Sequence, residues 1–85
     1  MKTTVYVKTL GPCQPCRMTK IKLDSLGVVY TTLSADEDPA VTDALKARGF
    51  LESPVVELHD EAGDLVDAWS GLRPDRIAQH FGTGS

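Results

Sequence analysis

The chain has 85 residues, enough for one domain and one modest core, and its 41% hydrophobic content suits an ordinary globular fold. Twelve acidic residues against nine basic ones give a net charge of −3, without the basic excess of a protein held by nucleic-acid phosphates. No apolar run is long enough for a signal peptide or a membrane span, which predicts a cytoplasmic protein, where a close cysteine pair is more often catalytic or metal-binding than structural.

Val5-Tyr6-Val7 predicts a short strand, broken by Gly11-Pro12. Cys13-Gln14-Pro15-Cys16 follows and holds the only two cysteines, and a helix is expected from about Cys13 to Leu26. Pro15 falls in its first turn, where a missing N–H breaks no intrahelical bond. Met18, Ile21, Leu23 and Leu26 are expected to form the apolar face, and Gly27 to end the helix. Val28 to Leu33 is rich in β-branched and aromatic residues and predicts a second strand, so this part reads as a parallel βαβ unit.

Asp36-Glu37-Asp38 reads as a solvated loop that ends in an N-cap, with Pro39 as the first helical residue. Val41, Ala44 and Leu45 have helical spacing, and Gly49 closes that helix. Pro54 to Leu58 and Leu65 to Trp69, joined by the polar stretch Asp60 to Asp64, predict an antiparallel hairpin. Glu57 interrupts an otherwise apolar strand without an evident role. Pro74 opens a last short helix that turns Ile77, Ala78 and Phe81 to the sheet, and residues 82–85 are expected to be a mobile tail on a single domain over 1–81.

Two cysteines three positions apart, after a strand and at a helix start, have the arrangement of a redox dithiol. Helix N-terminal amides favour negative charge, which lowers the pKa expected for Cys13 and makes it the nucleophile. Cys16, nearly one turn on, is placed to resolve a mixed disulfide at Cys13. Lys8 and Arg17 are candidates to add positive charge beside the thiolate; the plain alternative is an exposed charge at each. The plain alternative for the cysteines is a packing pair or half of a zinc site, but His59 and His80 lack the close pairing of zinc motifs.

The order βαβ, α, ββ, α has one compact solution, an α/β four-stranded mixed sheet in spatial order 2-1-3-4 with three flanking helices. That topology is the thioredoxin fold, in which glutaredoxins and thioredoxins carry Cys-x-x-Cys after the first strand. Arg17-Met18-Thr19-Lys20, Gly49-Phe50-Leu51 leading into Ser53-Pro54-Val55-Val56, and Trp69-Ser70-Gly71-Leu72-Arg73-Pro74-Asp75 resemble segments of the NrdH-type redoxins, a glutaredoxin-like family with thioredoxin-like behaviour.

The resemblance implies a reductant of protein disulfides that passes electrons to class Ib ribonucleotide reductase and is reduced by thioredoxin reductase. It implies no cofactor beyond the cysteine pair, and nothing in the sequence calls for a metal or an obligate dimer. It also implies a cis Ser53-Pro54 bond facing the dithiol, with the Ser53 backbone available to an extended substrate segment. Trp69-Ser70-Gly71 is expected to form a shaped loop near the dithiol, where glutathione-using glutaredoxins have a Gly-Gly pair; for Trp69 the plain alternative is a core anchor. The missing Gly-Gly argues against a glutathione-dependent glutaredoxin, and a non-catalytic redox-sensing or metal-binding domain is the remaining alternative. Two positions depart from the family. Gln14 is followed by Pro15 where the family usually has glutamine before the second cysteine, and Leu72 stands where an aromatic residue is commoner.

Overall fold

A computed structural model describes residues 1–82. The elements are β1 (Lys2–Val7), α1 (Gln14–Ser25), β2 (Tyr30–Ser34), α2 (Pro39–Ala47), β3 (Val55–His59), β4 (Leu65–Ser70) and α3 (Pro74–Phe81). The strands form one sheet in the order β2-β1-β3-β4, parallel between β1 and β2 and antiparallel at the other two seams. This is the expected thioredoxin fold. The sequence-predicted mobile tail falls largely on residues 83–85, which lie outside the described residues, while Gly82 is the C-cap of α3.

Register puts Thr32, Val5, Val56 and Trp69 in one row across the sheet. Alternation along each strand then splits the core in two. Val5, Val7, Val56, Leu58 and Trp69 pack with Cys16, Leu23 and Ile77 on one face, while Val55 packs with Ala35 and Leu45 on the other. The first cluster therefore joins α1 and α3 to the sheet, and the second joins α2.

Both long helices end in the same device. Gly27 (φ 71°) donates to Asp24 and the next amide, Val28, donates to Leu23; Gly49 (φ 87°) donates to Lys46, and Phe50 to Leu45. These are paired backbone closures of the Schellman type, each needing a left-handed residue that glycine adopts without a Cβ penalty. The first explains why β2 starts at Tyr30 rather than Val28: the Val28 amide is spent closing α1, and Val29 is 89% exposed. The second seats Phe50 against Leu45 and aims the following residues toward the dithiol.

Two further expectations are corrected. Met18 and Ile21 do not form the inner face of α1 but are exposed, and Cys16, Thr19 and Leu23 are buried instead. At 3.6 residues per turn Met18 and Ile21 lie roughly 140–160° round the helix from Leu23, so one face cannot hold all of them. Trp69 is not in a loop but within β4, where it is only 2% exposed, so the core-anchor alternative holds; Ser70 is the last residue of the same strand.

Candidate active site

Cys13 is the N-cap of α1, with extended backbone, and its sulfur accepts a hydrogen bond from the Cys16 N–H at 3.3 Å. A sulfur thus occupies the position usually held by a capping oxygen, aimed at the amides that terminate the helix dipole. Pro15 sits in the first turn, where its missing N–H costs no intrahelical bond. The two sulfurs are joined in a disulfide, with Cα atoms 5.3 Å apart. Cys13 is half-buried and Cys16 is 4% exposed, so the first sulfur faces solvent and the second faces the core.

The Ser53-Pro54 bond is cis. The Ser53 carbonyl oxygen lies 4.0 Å from the Cys13 sulfur, which carries no proton in the disulfide and so is a neighbour rather than a donor. Pro54 is buried, and its own carbonyl accepts the Gly71 N–H at 2.8 Å, continuing the β3–β4 ladder one step past the Val55–Ser70 pair. That bond fixes the backbone on the inner side of Pro54 and leaves Ser53 toward the cysteines.

Beside them runs a groove of about 590 Å³, lined by Cys13, Gln14, Pro15 and Ser53 together with Lys8 and Glu52. Lys8 reaches along the loop before the dithiol: a Cβ on Gly11 would stand 3.7 Å from Lys8 Cε. Of the residues expected at the site, the structure gathers Lys8, Cys13, Gln14, Pro15 and Ser53 on this groove. Arg17, Trp69, Ser70 and Gly71 do not line it. Arg17 is exposed and contributes its backbone N–H to the Cys13 carbonyl, while Trp69 packs in the same core cluster as Cys16.

Asp36 was legible only as part of a solvated acidic run, but it is the pin between two loops. Its carboxylate accepts the Thr9 N–H (2.9 Å), the Thr9 hydroxyl (2.9 Å), the Leu10 N–H (3.0 Å) and the Ser34 hydroxyl (3.1 Å). The Thr9 amide above all, helped by the other donors and opposed by burial, holds its pKa down to about 2. The loop so held is the one that delivers Cys13 to the groove. Asp38 is the expected N-cap of α2, accepting from Ala40. Glu57 also finds its partner: Arg48 forms a salt bridge with it on the α2 face of the sheet, well away from the cysteines in sequence and on the opposite side from Trp69.

A pair of sulfurs alternating between bonded and free, one half-buried at a helix N-terminus and one beneath it, supports thiol–disulfide exchange without a further group. Among the described residues no cluster of three or more His, Cys, Asp or Glu side chains is placed to hold a metal ion, and no helix is long and apolar enough to cross a membrane.

Comparison with known proteins points the same way. The glutaredoxin family profile matches residues 3–62. The chain is 39% identical over 77 residues to the glutaredoxin-like protein NrdH of Escherichia coli strain K12, covering 91% of this chain and 85% of that protein. The solved structure of the E. coli NrdH-redoxin, described as a glutaredoxin-like protein with a thioredoxin-like activity profile, superposes with a TM-score of 0.75 at 32% identity over 93% of each chain. Mitochondrial thioredoxin 3 of Saccharomyces cerevisiae, in its oxidised form, shares the fold at a TM-score of 0.60 and 20% identity, over 94% of this chain and 76% of that one.

Proposed function

The chain belongs to the glutaredoxin family as an NrdH-like dithiol–disulfide oxidoreductase, and we propose that it is a cytoplasmic, monomeric electron donor to class Ib ribonucleotide reductase that thioredoxin reductase recharges. The observation that carries this reading is the asymmetric dithiol itself: Cys13 capping α1 at the groove, Cys16 buried under it, and Ser53 alongside. In the forward reaction the Cys13 thiolate attacks one sulfur of a substrate disulfide, breaking that bond and expelling the other sulfur as a thiolate. Cys16, deprotonated, then attacks the Cys13 sulfur and releases the second substrate thiolate. Two electrons pass to the substrate and the protein is left as its disulfide.

Lys8, Gln14, Pro15 and Ser53 shape the substrate groove in this reading, with Pro54 and Gly71 fixing its wall and Trp69 and Ser70 supporting it from β4. The reductant is thioredoxin reductase rather than glutathione, because the stretch Ser70-Gly71-Leu72 lacks the Gly-Gly pair that helps glutaredoxins hold the tripeptide. Coupled assays separate the two. NADPH with thioredoxin reductase should sustain insulin and ribonucleotide reductase turnover, and glutathione with glutathione reductase should not. Equal turnover with both systems would return the protein to the glutathione-dependent class, and no turnover with either would favour a redox-sensing domain.

A further inference from the structure

Glu52 is the groove carboxylate that lies against Gly71. Gly71 is buried in the left-handed region (φ +79°), and a Cβ on it would run into the Glu52 carboxylate, standing 3.5 Å from Cδ and 3.9 Å from Cβ of that side chain. The carboxylate stands over a turn residue that has no side chain of its own. It immediately precedes Ser53, whose carbonyl oxygen is 4.0 Å from the Cys13 sulfur. The other groove carboxylate, Asp36, is taken up by the amides and hydroxyls of Thr9, Leu10 and Ser34. Lys8 lies against Gly11 on the dithiol loop and Lys46 comes from the last turn of α2, so the groove is polarised, with its negative charge on the Ser53 side.

We propose that Glu52 is a specificity-determining residue of the exchange reaction, a negative charge beside Ser53 that favours disulfides with cationic surroundings and disfavours anionic ones. This rests on the reading of Cys13 as the attacking sulfur. In water, two unit charges at a separation on the order of 8 Å change a rate by roughly two- to fourfold per unit of substrate charge, and salt screens the effect.

The test mixes fully reduced protein with cystamine, 3,3′-dithiodipropionate or neutral 2-hydroxyethyl disulfide at low ionic strength, and scores oxidised protein after acid quenching. Each rate is divided by that of the same disulfide with dithiothreitol. The wild-type cystamine-to-dithiodipropionate ratio should exceed one and shrink at high salt, and Glu52→Gln should lower it by about threefold or more. Glu61→Gln, the same charge change on the β3–β4 hairpin, should leave it unchanged. A ratio that ignores Glu52→Gln, or falls equally with Glu61→Gln, overturns the proposal while the neutral disulfide still reports an active dithiol. Failure of the wild type to react with any of the disulfides overturns the dithiol reading and this proposal together.

Discussion

The backbone N–H of Cys16 donates to the Cys13 sulfur at 3.3 Å, so the second cysteine supplies the dipole that favours a thiolate at the first. Access divides them further, since Cys16 is 4% exposed and Cys13 is half-buried. In the reduced protein, alkylation should therefore fall on Cys13 first, at a rate roughly tenfold or more above Cys16. Cys16→Ser should stall as a mixed disulfide through Cys13, visible as a mass adduct that dithiothreitol removes. Cys13→Ser should lose turnover, and a Cys13→Ser protein that still reduces insulin at the wild-type rate would reverse the roles.

Asp36 gives the dithiol loop a pH limit. Its carboxyl is held down to about 2, below the roughly 3.9 of an unfolded aspartate, chiefly by the Thr9 amide. A depressed folded pKa means that its stabilisation is complete above the unfolded pKa and is lost as pH falls from about 4 toward 2. The Thr9 and Leu10 amide resonances of the folded protein should titrate with a midpoint near the carboxyl's value of about 2, and Asp36→Asn should abolish the titration and loosen the loop at neutral pH, seen as faster exchange of both amides. Unchanged exchange in Asp36→Asn would show that the carboxylate does not hold the loop.

Trp69 carries its weight as volume rather than as a hydrogen-bonding group. It is 2% exposed, stacks on His80 with ring planes 5° apart, and its indole N–H has no partner among the described residues. An unpartnered buried donor is itself destabilising, so removing it with the ring body kept offsets part of the lost contact. Trp69→Phe should cost less than about 1.5 kcal/mol in denaturant unfolding, whereas Trp69→Ala, which opens a cavity, should cost about 3–5 kcal/mol. Equal losses for the two would mean that the N–H has a partner after all.

How far the sequence could be read follows from how local each signal is. Strand order, the α2 cap at Asp38 and the positions of Cys13 and Cys16 rest on periodicity, turn residues and short spacings, and the structure carries all of them. Met18 and Ile21 are apolar but lie at the wrong helical angle for the core, and Thr19, a polar residue, takes the inner stripe. Asp36 and Glu52 were invisible for a different reason. Their partners, Thr9 with Leu10 and Gly71, are brought to them only by the pairing of β1 with β2 and of β3 with β4. Glu57, similarly, looked out of place in β3 until α2 delivered Arg48.

Gly71 joins two jobs in one residue. Its N–H holds the Pro54 carbonyl at 2.8 Å, and its left-handed backbone with no side chain makes room for Glu52. An alanine there pays roughly 1–2 kcal/mol for its conformation, while the glutamate tip can swing aside. Gly71→Ala should thus lower the unfolding free energy by about that amount and, in the reduced folded protein, weaken the preference for cationic disulfides without changing net charge. A stability loss with charge preference intact would separate the turn from the seat of Glu52.

The Arg48–Glu57 pair should respond unequally to losing either partner. The Glu57 side chain is 11% exposed and Arg48 38%, and the guanidinium also lies over the Phe50 ring at 4.9 Å from its centroid. Tyr6 faces the same carboxylate; burial first, then the charge of Glu57 and a hydrogen bond to it, raise the phenol pKa. Arg48→Met leaves a nearly buried carboxylate without its countercharge, and such a stranded group costs about 1–3 kcal/mol. Glu57→Leu removes the buried charge and leaves an arginine that water reaches, so it should cost less than about 1 kcal/mol. Denaturant unfolding of both variants and the double variant checks this: the double should resemble Glu57→Leu, because once the carboxylate is gone Arg48 has little left to stabilise. A double variant as unstable as the sum of the singles would mean that Arg48 acts through Phe50 and not through Glu57.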